Sequence, residues 1–369
     1  MTQFKLIDDF DAFLALECAW DELAKASDVD HAFMRHLWFT EWIRAYQVEK
    51  GLAIGTLWRD GLLVGAAPVC RHRLSFRGVP VRALTFLSSG ITPRCGFLVA
   101  ETDLVAPLVA GLFGCPKWDI CFTPNMEFDL ESTRQYVSIL DGRRKKTPHQ
   151  IVDGLRSPYM SLTGSWDDYF ANLSKKRQKY LDRMCCRRLG KAESHEVIRI
   201  DNSKQYESFL PIMFDVSSRS WKSEEGSHLA LSQPSGRLMA NFTPKALDAA
   251  LARIYLLRVD GKVVGFEYLL SCRGSYCLIR CDYDEGFRYF SPGSNLRIAI
   301  LKDSFADQSA IVYDLGGDDY EYKLEWTNKV RRHITITAAG PTLLGKGIIF
   351  AKNRLLPALR RLGPSVREE

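Results

Sequence analysis

Apolar and polar positions change rhythm several times along this chain, and each rhythm predicts an element. The segments "LWRDGLLVGAAPV" (57–69) and "LRVDGKVVGFEYL" (257–269) both place Asp-Gly between two apolar runs. Asp-Gly favours the tight primed turn whose twist matches that of paired strands, so each segment predicts a β-hairpin. The two share Leu57/Leu257, Asp60/Asp260, Gly61/Gly261, Val64/Val264 and Gly65/Gly265 at a constant offset of 200 residues. That repeat suggests two lobes of similar build. In the first half, "DDFDAFLALECAWDELAKAS" and "MRHLWFTEWIRAYQ" carry helical spacing, and "VRALTFLSS" and "KWDICFTP" read as strands. In the second half a helix is predicted over 165–191 and another near 203–220. Strands follow at about 252–259, 262–271, 275–283 and 309–315, with a helix opening at Pro292 and a last strand at 333–338. This order predicts an α/β fold of the α+β, mixed-sheet kind. The expected lobes are 1–150 and 151–340, linked through the basic segment "LDGRRKKTPHQ", with a tail at 341–369.

The stretch "FRYFSPGSNLRIAI" (287–300) joins strand to helix through a tight turn of small residues. Ser291 is suited to cap the helix, and Pro292 to its first position, where a missing N–H costs nothing. Gly293 would let a ligand approach the backbone. First-turn amides with the positive end of the helix dipole behind them form an anion site, and Arg288 adds a guanidinium that can fork onto phosphate. The plainer reading is a well-capped helix and nothing more.

Composition narrows the classes. A chain of 369 residues exceeds what one core usually holds, which agrees with two lobes. A hydrophobic content of 46% and a charged content of 25% are those of a globular protein. No apolar run has the length of a membrane span, and "MTQFKLIDDF" lacks the basic start and apolar core of a signal peptide. The expected location is the cytoplasm, or the surface of the inner membrane. Ten cysteines show no Cys-x-x-Cys spacing, which predicts buried, reduced thiols. The histidines have no ligand spacing, so no metal is expected, and His195 and His333 read as surface or packed residues.

Net charge is only +6, but it is unevenly placed. Residues 171–191 carry eight Lys or Arg against one Asp, and 343–369 carry six against two acids. At helical spacing Lys176, Lys179, Arg183 and Arg187 share one arc. That arc is either a solvated face or a stripe for an anion. The tail "LLGKGIIFAKNRLLPALRRLG" is apolar and basic together, broken by Pro357. It reads as a terminal helix packed on the body, or as a segment that lies on an anionic membrane surface.

The opening Arg288-Tyr289-Phe290-Ser291-Pro292-Gly293 resembles the Q/R-x-x-G-x-G/A coenzyme A pyrophosphate loop of the GNAT superfamily, with Ser291 in place of the first glycine. A closer resemblance is to its CelD-like and Fem-like acyltransferase branch. It is carried by "YDEGFRYFSPGSNL", by "YDLGGDDYEYKLEW" with Asp314, Asp318, Tyr322, Lys323 and Trp326, and by "SSRSWKSEEG" with Trp221 and Lys222. "WDDYFANLSKKRQKYLDR", "WDELA" and "DHAFMRHLWFTEWIRAY" fit as well, whereas "TPRCGFLVA" stands where relatives often carry an Asp-Tyr pair. The resemblance implies two GNAT-like lobes packed together, the acyl-CoA N-acyltransferase fold. It also implies acyl transfer from acyl-CoA (acetyl-CoA) to an amine acceptor. That acceptor would be a small molecule or sugar-linked amine, such as an amino sugar or nucleotide sugar of envelope or exopolysaccharide synthesis. Two other readings stand beside it. One is a Fem-like transfer from aminoacyl-tRNA to a peptidoglycan precursor. The other is a non-catalytic, membrane-associated partner in polysaccharide assembly.

The implied site residues follow. Arg288, Ser291, Pro292, Gly293, Ser294 and Asn295 would hold the donor's diphosphate. Tyr322 would protonate the leaving sulfur, and Lys323 would hold phosphate or developing negative charge. Trp221, Lys222, Tyr283, Asp284, Asp314, Asp318, Lys176 and Arg183 would contact substrate. A backbone amide within 277–283 would meet the oxyanion. Strand alternation places Tyr276, Leu278, Arg280 and Asp282 on one face. Asp282 is then either the base or the partner of Arg280, and Glu267 is either the rival base or an ion-pair partner.

Overall fold

The two repeat segments fold as the hairpins their turns predict, Ile54–Arg59 with Leu62–Ala67 in one half of the chain and Ala252–Val259 with Lys262–Cys272 in the other. The computed structural model describes residues 1–29 and 31–355, and they divide into two units. Unit 1 holds Met1–Ile43, Gln47–Leu155 and the chain from Arg332, and unit 2 holds Arg44–Tyr46 and Arg156–Arg331. In unit 1, strands β1 (Thr2–Ile7), β2 (Ile54–Arg59), β3 (Leu62–Ala67) and β6 (Leu98–Val99) form an antiparallel sheet in the order β1-β2-β3-β6. Here β4 (Val69–Phe76) and β5 (Val79–Phe86) make a second hairpin, and β5 runs parallel to β7 (Ile120–Glu127). The core of this unit is apolar: Leu57, Phe97, Leu108, Leu112, Tyr136 and Ile336 are among its fully buried members.

The strand β8 (His149–Ser161) begins in unit 1 and ends in unit 2. The long helix expected over 165–191 is broken. Ser165 caps helix Trp166–Asn172, and Ser174 caps a new helix, Lys175–Tyr180, that runs on through a wide turn at 181–186 to Leu189. Two Ser caps nine residues apart offer the backbone two separate starts, so the chain restarts at Ser174. Helices Ser203–Ser218 and Pro234–Asp248 follow strand β9 (His195–Ile200). Then come β10 (Ala252–Val259), β11 (Lys262–Cys272) and β12 (Ser275–Tyr283), an antiparallel run. Helix Pro292–Asp307 leads to the short β13 (Val312–Asp314), which pairs parallel with β12 and antiparallel with the end of β8. The apolar core of unit 2 lies between this sheet and helix Pro292–Asp307, through Leu257, Leu269, Leu278, Leu296, Ile300 and Tyr313.

The last strand, β14 (Val330–Ala339), departs from the sequence reading. The alternation at 333–338 predicts a strand of the second lobe, but from Arg332 the chain belongs to unit 1, where β14 pairs antiparallel with β7. Its alternation identifies a strand; only the pairing identifies the sheet. Thr342 caps the terminal helix Leu343–Phe350, which packs through Ile348 beside Val81, Ala83 and Ile120 of the same unit. Pro357 and the rest of the tail lie outside the described residues. Of the ten cysteines six are buried, whereas Cys18 and Cys186 are exposed.

Candidate active site

The site forms where β12 loses its neighbour. β13 accompanies it only from Ser275 to Cys277, and beyond that point β12 lines a cleft of about 750 Å³ within unit 2. A bulge in β12 sets what that strand presents. Tyr268 faces Arg280 and Leu269 faces Leu278, so Ile279 is the extra residue. The bulge flips the alternation. Tyr276 and Leu278 join the apolar core, whereas Arg280 and Asp282 meet Ser217 on helix Ser203–Ser218. The single face expected for these four residues is thereby corrected.

The turn at 284–293 shapes one wall. The Asp284 side chain accepts from the Gly286 amide at 2.9 Å and from Arg219 at 2.6 Å, which fixes the short 3-10 turn Glu285–Phe290. Ser291 then adopts φ 49°, ψ 55°, and its hydroxyl makes no cap hydrogen bond. The expected side-chain cap is therefore absent. A left-handed residue is instead held by its own carbonyl, which accepts from Ser294 N and Asn295 N, both at 3.1 Å, while Asn295 Nδ2 donates to Phe290 O at 2.8 Å. Pro292 has no amide proton, so of the first-turn amides Gly293's is the one outside these bonds. Asn295 braces the turn and does not line the cleft. Ser291, Pro292, Gly293, Ser294 and Arg288 do line it. A Cβ on Gly293 would meet only the Tyr283 ring, at 3.8 Å, so internal packing does not require the glycine.

Cations that the sequence did not single out complete this wall. Arg188 stacks on Tyr289, its Cζ 4.9 Å from the ring. Arg177 is buried with its Cζ 4.5 Å over Trp326 and 5.1 Å over Tyr180, and Nη1 pairs with Glu325. Its Nε is buried without a partner in the protein.

Glu267 and Asp282 also line the cleft, and both are engaged. Glu267 accepts from Arg297 Nε at 2.9 and 3.0 Å, from Arg297 Nη2 at 2.7 Å and from the Tyr313 hydroxyl at 2.9 Å. Asp282 accepts from Lys222 Nζ at 2.7 Å, from Arg280 Nε at 2.7 Å and from the Ser217 hydroxyl at 2.6 Å. Lys222 also donates to Cys281 O at 2.6 Å, beside the half-exposed Trp221. Each carboxylate thus sits where the sequence allowed an ion-pair partner. Glu325, half exposed on its pair with Arg177, is the less committed acid in the lining.

Tyr322 and Lys323, neighbours in sequence, diverge. Tyr322 lines the cleft as a half-exposed residue, and burial around its hydroxyl pushes its pKa well up, so the proton stays on oxygen. Lys323 is turned inward, buried, and donates to Gly316 O at 2.5 Å. Burial lowers its pKa to about 8. It is not among the cleft-lining residues, and neither are Asp314, Asp318, Asp284, Lys176 or Arg183. Asp314 accepts from Gly316 N at 2.8 Å, and Asp318 accepts from Arg156 N at 3.1 Å, so both hold loops. Lys176 and Arg183 are solvent-exposed. The signal for Arg297 was present as a lone cation inside the apolar run "NLRIAI". Arg177, inside "KKRQK", has no such contrast with its neighbours.

Residues 174–324 match the family model described as acetyltransferase (GNAT) domain. The chain carries a GNAT domain. That domain spans the cleft walls from Arg177 to Tyr322 and makes the protein an N-acyltransferase. No curated protein matches the sequence. Solved structures share the fold at low identity. The crystal structure of FemX is 10% identical, with a TM-score of 0.61 over 90% of this chain and 98% of FemX. L-PGS from Bacillus licheniformis is 10% identical, with a TM-score of 0.52 over 92% of this chain and 96% of its own. A conserved protein of unknown function from Bacteroides thetaiotaomicron is 11% identical, with a TM-score of 0.53 over 92% of this chain and all of its own. The GNAT-like mixed α/β fold expected from the resemblance is the fold observed.

Proposed function

We propose that unit 2 transfers an acyl group from acyl-coenzyme A, acetyl-CoA in the simplest case, to the amine of a sugar-linked acceptor. The observation that carries this reading is the cleft itself. Within the GNAT-matched segment, one wall combines Ser291–Ser294 with Arg288, Arg188 and Arg177. Three guanidinium groups and a backbone left open by Gly293 suit a diphosphate. The contribution of helix amides is smaller than the sequence suggested, because Ser291 O already takes two of them. Tyr322 carries a retained proton in the same cleft and suits the leaving sulfur. Trp221, Lys222 and Tyr283 complete the lining, and an amine acceptor would enter beside Trp221 and Lys222. An amino sugar or nucleotide sugar is the acceptor class that the resemblance favours.

Thermal-shift titration with acetyl-CoA tests the reading. The wild-type melting temperature rises with ligand. In Gly293→Val the unliganded melting temperature stays unchanged and the rise is lost, because two added methyl groups project into the donor's path. An unshifted wild type excludes this donor.

One observation favours a second reading. Lys175, Lys176, Lys179, Arg183 and Arg187 are all exposed on the 175–189 segment that also places Arg177 and Arg188 in the cleft. That surface would suit the backbone of an aminoacyl-tRNA, and salt-sensitive RNA binding with no response to acetyl-CoA would support it. Contact with an anionic membrane is proposed for helix Leu343–Phe350, which exposes Leu343, Leu344 and Phe350. Co-sedimentation with phosphatidylglycerol vesicles but not phosphatidylcholine vesicles would support that contact.

A further inference from the structure

We propose that Arg297 donates its Nη1–H to the carbonyl oxygen of the donor's acyl group and holds the charge that this oxygen gains during transfer. The inference rests on the acyl-transfer reading above and departs from the strand amide expected to meet the oxyanion.

Arg297 lies in the second turn of helix Pro292–Asp307 and in the lining of the cleft, yet it is only 3% exposed. Its Nε and Nη2 are committed to Glu267 at 2.7–3.0 Å. Nη1, on the other side of the guanidinium, is buried and has no partner in the protein. An unmet N–H on a buried cation is costly and rare, and a group in a cleft lining that keeps one is short of an acceptor. A ligand in the cleft that Arg297 lines would supply that acceptor.

Charge decides which kind of acceptor fits. Glu267 already neutralises Arg297, and the Tyr313 hydroxyl donates to that carboxylate from its other side. The cluster is neutral as a whole, so a second full anion would face Glu267 as well as Arg297. A neutral oxygen, such as a thioester carbonyl, meets the free N–H without that repulsion. When the carbonyl is attacked its oxygen becomes negative, and the guanidinium is then an oriented cation beside it. Glu267 and the Tyr313 ring, 5.3 Å from Cζ, hold it in place, so it has little reorganisation left to make.

The transfer balances as follows. The amine nitrogen bonds to the carbonyl carbon, and the π pair moves to the oxygen held by Nη1–H. The pair returns, the carbon–sulfur bond breaks, and sulfur leaves with the bonding electrons. The proton lost from nitrogen ends on sulfur by way of the Tyr322 hydroxyl, which gives one and regains one. The products are an amide and a thiol.

The test compares two probes on this 369-residue chain by calorimetric titration. Acetyl-CoA has the carbonyl oxygen; its thioether analogue S-ethyl-CoA lacks it. Wild type should bind acetyl-CoA roughly tenfold more tightly. The variants are Arg297→Lys and the double variant Glu267→Met with Arg297→Met, which removes both charges and leaves no buried ion unpaired. Both should bind the two probes equally, with S-ethyl-CoA affinity unchanged. Thiol release from acetyl-CoA should fall by about 10²–10³ in kcat with KM little altered. Equal binding of both probes by wild type overturns the role of Arg297 and leaves the donor reading intact. A preference that survives in the double variant also overturns it. If wild type binds neither probe, the donor reading falls and the role of Arg297 with it.

Discussion

The hairpins β2–β3 and β10–β11 begin alike and end differently. Both turn through Asp-Gly with positive φ at each residue, 51° and 79° at Asp60-Gly61, 48° and 78° at Asp260-Gly261. Both carry a bulge at the equivalent place, Val64 in one and Val264 in the other. Two residues after the shared Gly65 and Gly265, they part. Unit 1 has Ala67 and then Pro68, which cannot donate to a ladder and closes the strand. Unit 2 has Glu267, and β11 runs on to Cys272. Against the unit 1 hairpin lies helix Val105–Gly114, "VAPLVAGLFG", without a charged residue. Against the unit 2 hairpin lies helix Pro292–Asp307, which supplies Arg297 to Glu267. One scaffold, used with apolar side chains, makes a core. Used with a buried ion pair, it makes the floor of a cleft. The lesson is that the repeat specifies a frame, and one substituted position in it separates packing from chemistry.

The largest effect should come from breaking that one difference. Glu267→Ala leaves the Arg297 charge buried and uncompensated, and should cost about 3–5 kcal/mol in urea unfolding. Ala67→Glu, the converse change, buries a carboxylate within an apolar cluster of unit 1 and should destabilise by a similar amount. A cost near zero for either would mean that the two hairpins are not distinguished by this position.

Next comes chemistry confined to unit 2. Tyr322→Phe removes the retained proton and should lower kcat about a hundredfold, or about 2.7 kcal/mol of barrier, with the melting temperature unchanged. Full activity in this variant would remove the hydroxyl from the proton path.

A smaller effect probes unit 2 by pH. The folded-state pKa of Lys323 lies at about 8, below the unfolded value near 10.4. Between these values the unfolded chain binds more protons, so this group's contribution to stability rises with pH across that window and falls as pH drops towards 8. From pH 7.5 to 9, wild type should gain about 1 kcal/mol relative to Lys323→Met. A constant difference would show that the ammonium is not desolvated.

The smallest effect tests what the hairpins share. Gly61→Ala and Gly261→Ala each force a Cβ into left-handed backbone and should each cost about 1 kcal/mol. Neither added Cβ meets a neighbour within 4 Å, so the penalties should be alike. Clearly unequal costs would show that the turns differ beyond their backbone.

Much of this was legible in the residues because it is local. Asp-Gly flanked by apolar runs determined both hairpins. Ser-Pro-Gly marked the start of the site helix, and Ser165 marked the helix it caps. Even the lone charge in "NLRIAI" marked Arg297 as out of place. Features set by partners far along the chain were not legible. Glu267 and Arg297 are thirty residues apart and meet only because a helix lies across a strand. The bulge at Ile279 turned Arg280 and Asp282 to the face opposite Tyr276, and strict alternation could not announce it. Lys323 and Tyr322 share a short helix, yet one points inward and the other into the cleft. β14 reads as a strand of the second lobe, yet from Arg332 onward it belongs to unit 1, where it pairs with β7. Periodicity and turn chemistry are properties of neighbouring residues, so the sequence alone determined the two hairpins, the strands around them and the start of the site helix. Burial, ion pairing and strand partnership are properties of distant residues brought together, so tertiary structure alone decided which charges were spent on each other and left Nη1 of Arg297 buried without a partner in the protein.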